Sequence, residues 1–358
     1  MAKAVRIRST CTNASGLRRF YNGSRGWVAV GAMAALAAAP GCGGYADFSL
    51  PRLTGHPERI RLRWEVISEP VLRRGVAGAW DGVDALNPSV VQHNGLYHNF
   101  YSGYDGRTWH TGLAISADGR NWERKGRILS PGDKSWEGQY IAANGSALWR
   151  DGRFLYWYQA GAPPRVGLAR SADGRNWLKE PNPVLPLGPN GSWDERGVAD
   201  PYVLEVGGRL YMYYLGQDRA RRQRLGLARS SDGLRWEKLR QNPILELGPR
   251  GSFDENGLGE PAVWPSHGLY WMLYTGRDRL EVRRLGLAWS RDGVRWTRYS
   301  DAAFLAGQED WNSKVVCDPA VETTTAGARV WFGGGDVAHP AENIHGQIGL
   351  ATLHMEVR

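Results

Sequence analysis

Short apolar and aromatic runs recur along the chain, each about the length of one strand. They read LYHNFYSG, FLYWYQAG, LYMYYLG, LYWMLYTG and RVWFGGG, and polar turn residues separate them. Runs of this length, bounded by Gly, Pro, Asn and Asp, predict β-strands rather than helices. A second element follows each of the first four runs: GLA-x-S-x-DG-x-x-W, at Gly112–Trp122, Gly167–Trp177, Gly226–Trp236 and Gly286–Trp296. Asp-Gly between two apolar runs is a strong tight-turn signal, because Gly accepts the positive φ that the turn needs. This element therefore predicts a strand, a turn and a further strand. A third element precedes each run: an aromatic, usually an acid, and seven positions on a polar residue, commonly before Pro. The copies are Trp80…Asn87-Pro88, Trp193…Asp200-Pro201, Phe253…Glu260-Pro261 and Trp311…Asp318-Pro319, with Trp136…Asn144-Gly145 one residue longer.

Four short strands in each unit of roughly 60 residues is the pattern of a β-propeller blade. Three markers recur through five units, so the expected fold is all-β, a five-bladed β-propeller. The fifth unit has Trp311, Asp318, RVWFGGG and Gly349-Leu350-Ala351, but no DGxxW turn and no fourth strand. The missing strand is expected at the other end. Arg63-Trp64-Glu65-Val66-Ile67 matches the pattern of RWEKLRQNPIL after the third turn, and Trp64 lies 58 residues before Trp122. The N-terminal strand would then complete the last blade and close the ring, which otherwise leaves an unpaired edge.

Composition agrees with many strands and turns: 47 Gly and 17 Trp against 5 Met in 358 residues. The net charge of +9 is concentrated at the start of the chain. Without the six basic residues of positions 1–41, 39 basic groups face 36 acidic ones, so no nucleic-acid partner is expected. Those first 41 residues read as an export signal, a basic stretch followed by WVAVGAMAALAAA, too short to span a bilayer comfortably. Two endings fit: cleavage after Ala37-Ala38-Ala39, or lipidation of Cys42 after Pro40-Gly41 as in a bacterial lipoprotein. The expected division is a signal at 1–41, a linker at 42–59 and the propeller at 60–358. The mature chain is expected to be an exported monomer that no disulfide holds together.

The SxDG turn resembles the Asp-box of sialidases, with one residue fewer between Asp and Gly. Asp118, Asp173, Asp232 and Asp292 are expected to bond backbone groups of their own turns. Each box Trp is expected to wedge between blades. Chemistry is expected where the innermost strands converge, at Asn87, Asn144, Asp200, Glu260 and Asp318. A core would place Val or Ala there, whereas facing carboxylates repel and raise one another's pKa. Asn and Asp before Pro also cap strand starts, a reading that fits Glu260 least.

With Asp-Pro on one inner strand and a Glu heading a later one, the chain resembles glycoside hydrolase family 43 and its relatives in families 32, 62 and 68. The resemblance implies cleavage of furanosides or xylosides of an oligo- or polysaccharide. It makes Glu260 of GLGEPAVW the general acid and Asp200 of GVADPYV the residue that orients it and tunes its pKa. It departs at blade one, where Asn87 stands in place of the Asp that serves as base. Asp84, where other blades carry Gly197 and Gly257, is expected to supply that base or nucleophile, with Asp318 as a further candidate. Asn87, Asn144, Asp318, Trp109, Tyr140 and His345 are expected to contact substrate, with Gln217, His110 and Gln139 nearby. RARRQR (219–224) is expected to be a solvated hairpin tip. The resemblance requires no cofactor, allows a structural Ca2+ at the axis, and assigns no metal-ligating side chains. Asn87-Pro88 also resembles family 130, the mannoside phosphorylases and hydrolases. A carbohydrate-binding propeller without catalysis is the rival from another class.

Overall fold

The computed structural model describes residues 44–132 and 136–358. The expected export signal, and Cys42 with its anchor, lie outside the described residues. Apart from two short 3-10 turns, Pro57–Arg59 and Asp310–Asn312, the regular elements described are all strands.

The strands form five antiparallel meanders. The first runs through Asp84–Leu86 and Val90–His93, Leu96–Tyr104, Trp109–Ser116 and Glu123–Leu129. The second joins Ala142–Arg150, Arg153–Ala160, Arg165–Ser171 and Leu178–Lys179. The third joins Gly197–Val206, Arg209–Gln217, Gln223–Ser230 and Glu237–Leu239, and the fourth Gly257–Ser266, Leu269–Arg277, Arg283–Ser290 and Thr297–Arg298. The fifth has three strands from the C-terminal end, Val315–Thr324, Gly327–Gly335 and Gln347–Val357. Its outer strand comes from the other end of the chain: Ile60–Val66 pairs antiparallel with Gln347–Val357, and Trp64 faces Leu353.

Each meander packs face to face on the next. Trp157, Leu168, Leu210 and Met212 are buried together between the second and third. Leu72, Tyr101, Ala114, Trp331 and Ile348 are buried between the fifth and the first.

The repeated motifs account for this packing. In each box the Ser hydroxyl donates to the Asp carboxylate, which also accepts two backbone N–H groups of its own turn. At Asp118 these come from Arg120 and Asn121, both at 2.8 Å. These bonds hold Asp118 and Asp173 well below the usual carboxylate range. The box Gly carbonyl then accepts from an aromatic of the preceding meander. Trp331 Nε1 donates to Gly119 at 2.7 Å, Trp157 Nε1 to Gly233 at 2.9 Å, and the Tyr213 hydroxyl to Gly293 at 2.9 Å. Every one of these aromatics faces the Leu of Gly-Leu-Ala across its own strand pair. Phe100, at the equivalent place in meander one, has no N–H or hydroxyl to give and packs on Trp177 instead. In meander four the place is taken by Leu273, and meander five has no box for it to meet.

A second device ties each of the first four meanders internally. Asp81, Glu137, Asp194 and Asp254 accept from the hydroxyls of Tyr101, Tyr158, Tyr214 and Tyr274. The same four carboxylates pair with Arg124, Lys179, Lys238 and Arg298 on the outer strands. The Gly of Gly-Leu-Ala serves this arrangement. A Cβ at Gly112 would lie 2.1 Å from the Trp80 ring, and one at Gly226 2.5 Å from Trp193.

The segment expected as a linker differs from that reading. Tyr45–Ala46 adds a parallel strand beside Glu237–Leu239, and Leu50 is buried between meanders three and four. Its apolar residues cover surface that the outer strands leave open, so 44–59 is part of the packed body.

Candidate active site

Five residues at equivalent places break the inner strands. Asn87, Asn144, Asp200, Glu260 and Asp318 all have a left-handed backbone, with φ of 48°, 50°, 45°, 46° and 52°. In four meanders the pairing register slips at this point, between Ala143 and Ser146, Ala199 and Tyr202, Gly259 and Ala262, and Cys317 and Ala320. A bulge of this kind re-aims a side chain that the pleat would otherwise send into the packing between sheets. For a residue such as Glu the conformation costs on the order of 1–3 kcal/mol, a cost that persists at functional sites.

The five side chains line one central space. They form its waist, with a cavity of about 220 Å³ on one side and one of about 200 Å³ on the other. Bonds run from strand to strand around them. Ser102 Oγ accepts from Asn144 N–H at 3.0 Å, Thr275 Oγ1 from Asp318 N–H at 3.2 Å, and Asp318 Oδ2 from Asn87 N–H at 3.3 Å. Against the rise that burial causes, the Asn144 side chain and the Glu260 backbone act to lower the Asp200 pKa.

Three carboxyls in a water-poor waist cannot all ionise. Burial first, and then the Glu260 charge, push Asp200 up to about 8. Burial, Glu260 and Asp200 also push Asp318 well above its usual value. Asp318 Oδ2 takes a bond from the Cys317 thiol at 3.0 Å, a group that burial keeps neutral. Asp318 Oδ1 and Glu260 Oε2 are buried without a hydrogen-bond partner. Both residues line the cavities, and a buried carboxyl oxygen without a partner is one that a bound group can satisfy. Arg283 is buried beside them. Burial opposes its charge, but the neighbouring acids Glu260 and Asp318 favour it, and its Nη2 donates to the His339 carbonyl at 2.8 Å.

The structure brings together Asn87, Asn144, Asp200, Glu260 and Asp318, and sets Trp109 and Tyr140 on the wall of the larger cavity. Gln217 lies there too. His345 does not join them: it is half exposed, and its Nδ1 lies 2.8 Å from Asp336, so it clips its own loop. His110 is occupied by Asp105 and Ser130.

Asp84 is also elsewhere. It is fully buried, and its carboxylate accepts three backbone N–H groups of the distant 336–346 loop, from Asn343 at 2.7 Å, Ile344 at 3.1 Å and Gly346 at 2.7 Å. Burial raises its pKa and the three amides oppose the rise. An oxygen pair saturated in this way reaches no substrate, so Asp84 is not the base. It anchors a wall, because Pro340 and Ala341 of that loop line the cavity. Asp84→Asn is expected to keep the fold and lower kcat/KM about tenfold, the consequence of an anchor weakened by ~1–3 kcal/mol. Parallel rate assays and limited proteolysis of the loop check this; a loss of a thousandfold or more would return Asp84 to the chemistry.

A Ca2+ does not fit the waist. The ion takes six to eight oxygens, whereas the Cys317 sulfur lies within 4.8 Å of the Glu260 and Asp318 oxygens, and the Arg283 charge acts on the same groups.

Gln159, Gln223, Thr275, Arg277 and Arg283 on the cavity wall had no place in the sequence reading. The signal was present. Gln217 and Arg277 directly follow the Gly of an aromatic run, and Gln223 and Arg283 stand three residues before Gly-Leu-Ala. The expected solvated tip, RARRQR, differs in the same way: Gln223 reaches the cavity, and Arg224 is buried against Asp218 at 3.0 Å.

With this geometry in hand, the relatives are informative. Residues 87–246 match the model for the glycosyl hydrolases family 32 N-terminal domain. Three solved structures overlay well. One is Zg3597, a family 117 glycoside hydrolase from the marine bacterium Zobellia galactanivorans (TM-score 0.63, 17% identity, 86% of this chain and 91% of that one). Another, with the same score and identity, covers 86% of this chain and 96% of its own. It comes from work describing glycoside hydrolases within the family 130 mannoside phosphorylases that target β-1,2-mannosidic linkages in Candida mannan. The third is a thermostable family-43 glycoside hydrolase (TM-score 0.59, 16% identity, 80% and 96%). The chain has the fold that these three glycoside hydrolase structures share. Among curated proteins it is 26% identical over 231 residues to the uncharacterized protein Rv1502 of Mycobacterium tuberculosis, covering 59% of this chain and 73% of that protein. In this fold the left-handed breaks at Asp200, Glu260 and Asp318 turn three carboxyls inward.

Proposed function

We propose that the chain is an exported glycoside hydrolase of furanosides or xylosides, built as a five-bladed β-propeller whose last blade is closed by Ile60–Val66. The observation that carries this reading is the convergence of Asp200, Glu260 and Asp318 on one cavity, with Glu260 Oε2 and Asp318 Oδ1 unpartnered. Cleaving a glycosidic bond needs one protonated carboxyl at the leaving oxygen and a second, ionised one beside the sugar ring. Burial and mutual repulsion raise Asp200 and Asp318, so the two titrate as a coupled pair beside Glu260. Glu260 is the proton donor in this reading, Asp200 keeps the set protonated, and Asp318 takes the role that Asp84 does not fill. One oxygen of Asp318 lies within 4.8 Å of one of Glu260. The amides of Gln159, Gln217 and Gln223 suit sugar hydroxyls. Arabinofuranosides, xylosides, fructosides and mannosides incubated with the mature protein test the proposal: release of reducing sugar from at least one is expected, and release from none contradicts it.

The rival reading, a sugar-binding propeller without catalysis, is favoured by Asn87 in place of a carboxylate. It predicts sugar binding in the same cavity with no bond cleavage.

The raised carboxyl pKa values have a measurable consequence. Asp200 binds its proton more tightly folded (about 8) than unfolded (~4). The folded chain thus holds the extra proton between these values, and stability falls as pH rises through that window. The melting temperature is expected to drop from pH 5 to pH 8.5, and less so in Asp200→Asn. An equal slope in the two proteins would show that Asp200 does not carry the effect.

A further inference from the structure

The wall of the larger cavity carries an arginine that the carboxyl chemistry does not use. Arg277 stands opposite Arg283 across the hairpin of meander four, where meander three has Gln217 opposite Gln223. Its side chain is 17% exposed, and its guanidinium has five N–H groups. One of these is hydrogen-bonded: Nη2 donates to Gln223 Oε1 at 2.7 Å. Nε lies 3.1 Å from Glu281 Oε2 but out of line, so both atoms are buried without a hydrogen bond. Gln223 spends its carbonyl oxygen on Arg277 and keeps its amide N–H groups. The place is shaped for the guanidinium. A Cβ on Gly257 would lie 3.0 Å from Arg277 Nη2 and 3.0 Å from Gln223 Oε1, so a larger residue there would displace both.

We propose that Arg277 and Gln223 form an oxyanion subsite in this cavity, one that takes the carboxylate of a sugar acid or a free phosphate ion. An Arg with unused donors in a partly dry wall is the group best matched to a planar carboxylate or a phosphate. Four neutral amide or hydroxyl groups would serve plain hydroxyls equally well; a second cation beside Arg283 would not be needed for them. Arg283 lies among the nearby acids, and Arg277 is ion-paired with Glu281 through Nε alone, at 3.1 Å. The inference rests on reading this cavity as the sugar site.

D-glucuronate and D-xylose make the decisive pair, since they are the same ring with and without the carboxylate. Ligand-detected NMR titrations of both, and of inorganic phosphate, use the wild-type protein, Arg277→Gln and Glu260→Gln. Arg277→Gln copies the residue of meander three and is expected to fold. The wild type is expected to bind glucuronate at least about tenfold tighter than xylose, or to bind phosphate where xylose competes poorly. Arg277→Gln should lose the preference, and Glu260→Gln should keep it. Preference for glucuronate assigns the subsite to the substrate, and preference for phosphate alone assigns it to a free ion. Equal binding of glucuronate and xylose without phosphate binding overturns the proposal, as does a preference that survives Arg277→Gln. Anion binding through Arg277 without cleavage of any glycoside leaves the subsite standing and removes the hydrolase. Cleavage of neutral glycosides with no anion preference does the reverse.

Discussion

Lys238→Met is expected to lower the free energy of unfolding by about 3–5 kcal/mol, the usual effect of stranding one member of a buried ion pair. Lys238 is 3% exposed and Asp194 is fully buried, so neither charge has water to fall back on. Burial pulls the Lys238 pKa down and Asp194 opposes it. The Met stem fills the space of the lysine stem, so the loss reports the charge and not a cavity. Asp194 would retain only the hydroxyls of Tyr214 at 3.1 Å and Ser192 at 3.0 Å. Urea unfolding gives the value from the midpoint when the slope is unchanged. The double variant Asp194→Asn with Lys238→Met should recover part of the loss, since the stranded charge is then gone. A single variant within 1 kcal/mol of wild type would mean that the Tyr–acid–cation tie contributes little to the sheet.

Glu260→Gln is expected to lower kcat by about 10²–10⁴, the range for removing a positioned proton donor, with KM little changed. Glutamine keeps the shape and can still bond a sugar hydroxyl, but it has no proton to give. The loss should shrink on aryl glycosides with an acidic leaving phenol, because that oxygen departs without a proton. Oε2 has no hydrogen-bond partner to lose, so any fall in stability reports the lost attraction for Arg283. Removing the Glu260 charge also relieves Asp200 and Asp318, both of which it pushes up, so the fall in stability with pH should weaken. Equal loss on good and poor leaving groups would place Glu260 in binding and not in proton donation.

The repeating parts of this molecule were readable because they are local. Ser, Asp, Gly and Trp of the box bond within one turn, and their spacing alone reports it. The outer strand at Ile60–Val66 was readable because Arg63-Trp64-Glu65 copies the residues after each box, although its partner strand is nearly 300 residues away. The axial residues followed from a fixed offset after each aromatic.

What failed to show was non-local. Asp84 looked functional because its equivalents are Gly197 and Gly257. Its actual partners, the amides of Asn343, Ile344 and Gly346, lie on a loop that no spacing connects to it. Arg277 and Arg283 fall outside the offset that marks the axial residues, because they sit at the end of the second strand and the start of the third and reach the cavity only through the fold. The left-handed backbone of Glu260 leaves no trace in a residue that rarely adopts it. Leu50 and its neighbours read as a linker because the surface they cover belongs to two separate meanders.

The most direct test of the account is a crystal structure of Glu260→Gln with an oligosaccharide that the wild type cleaves. The account predicts a glycosidic oxygen within hydrogen-bond reach of residue 260, the adjoining ring against Asp318, and Asp200 behind them in the same cavity. A sugar seated outside the waist, or one that leaves residues 200, 260 and 318 without contact, would contradict it.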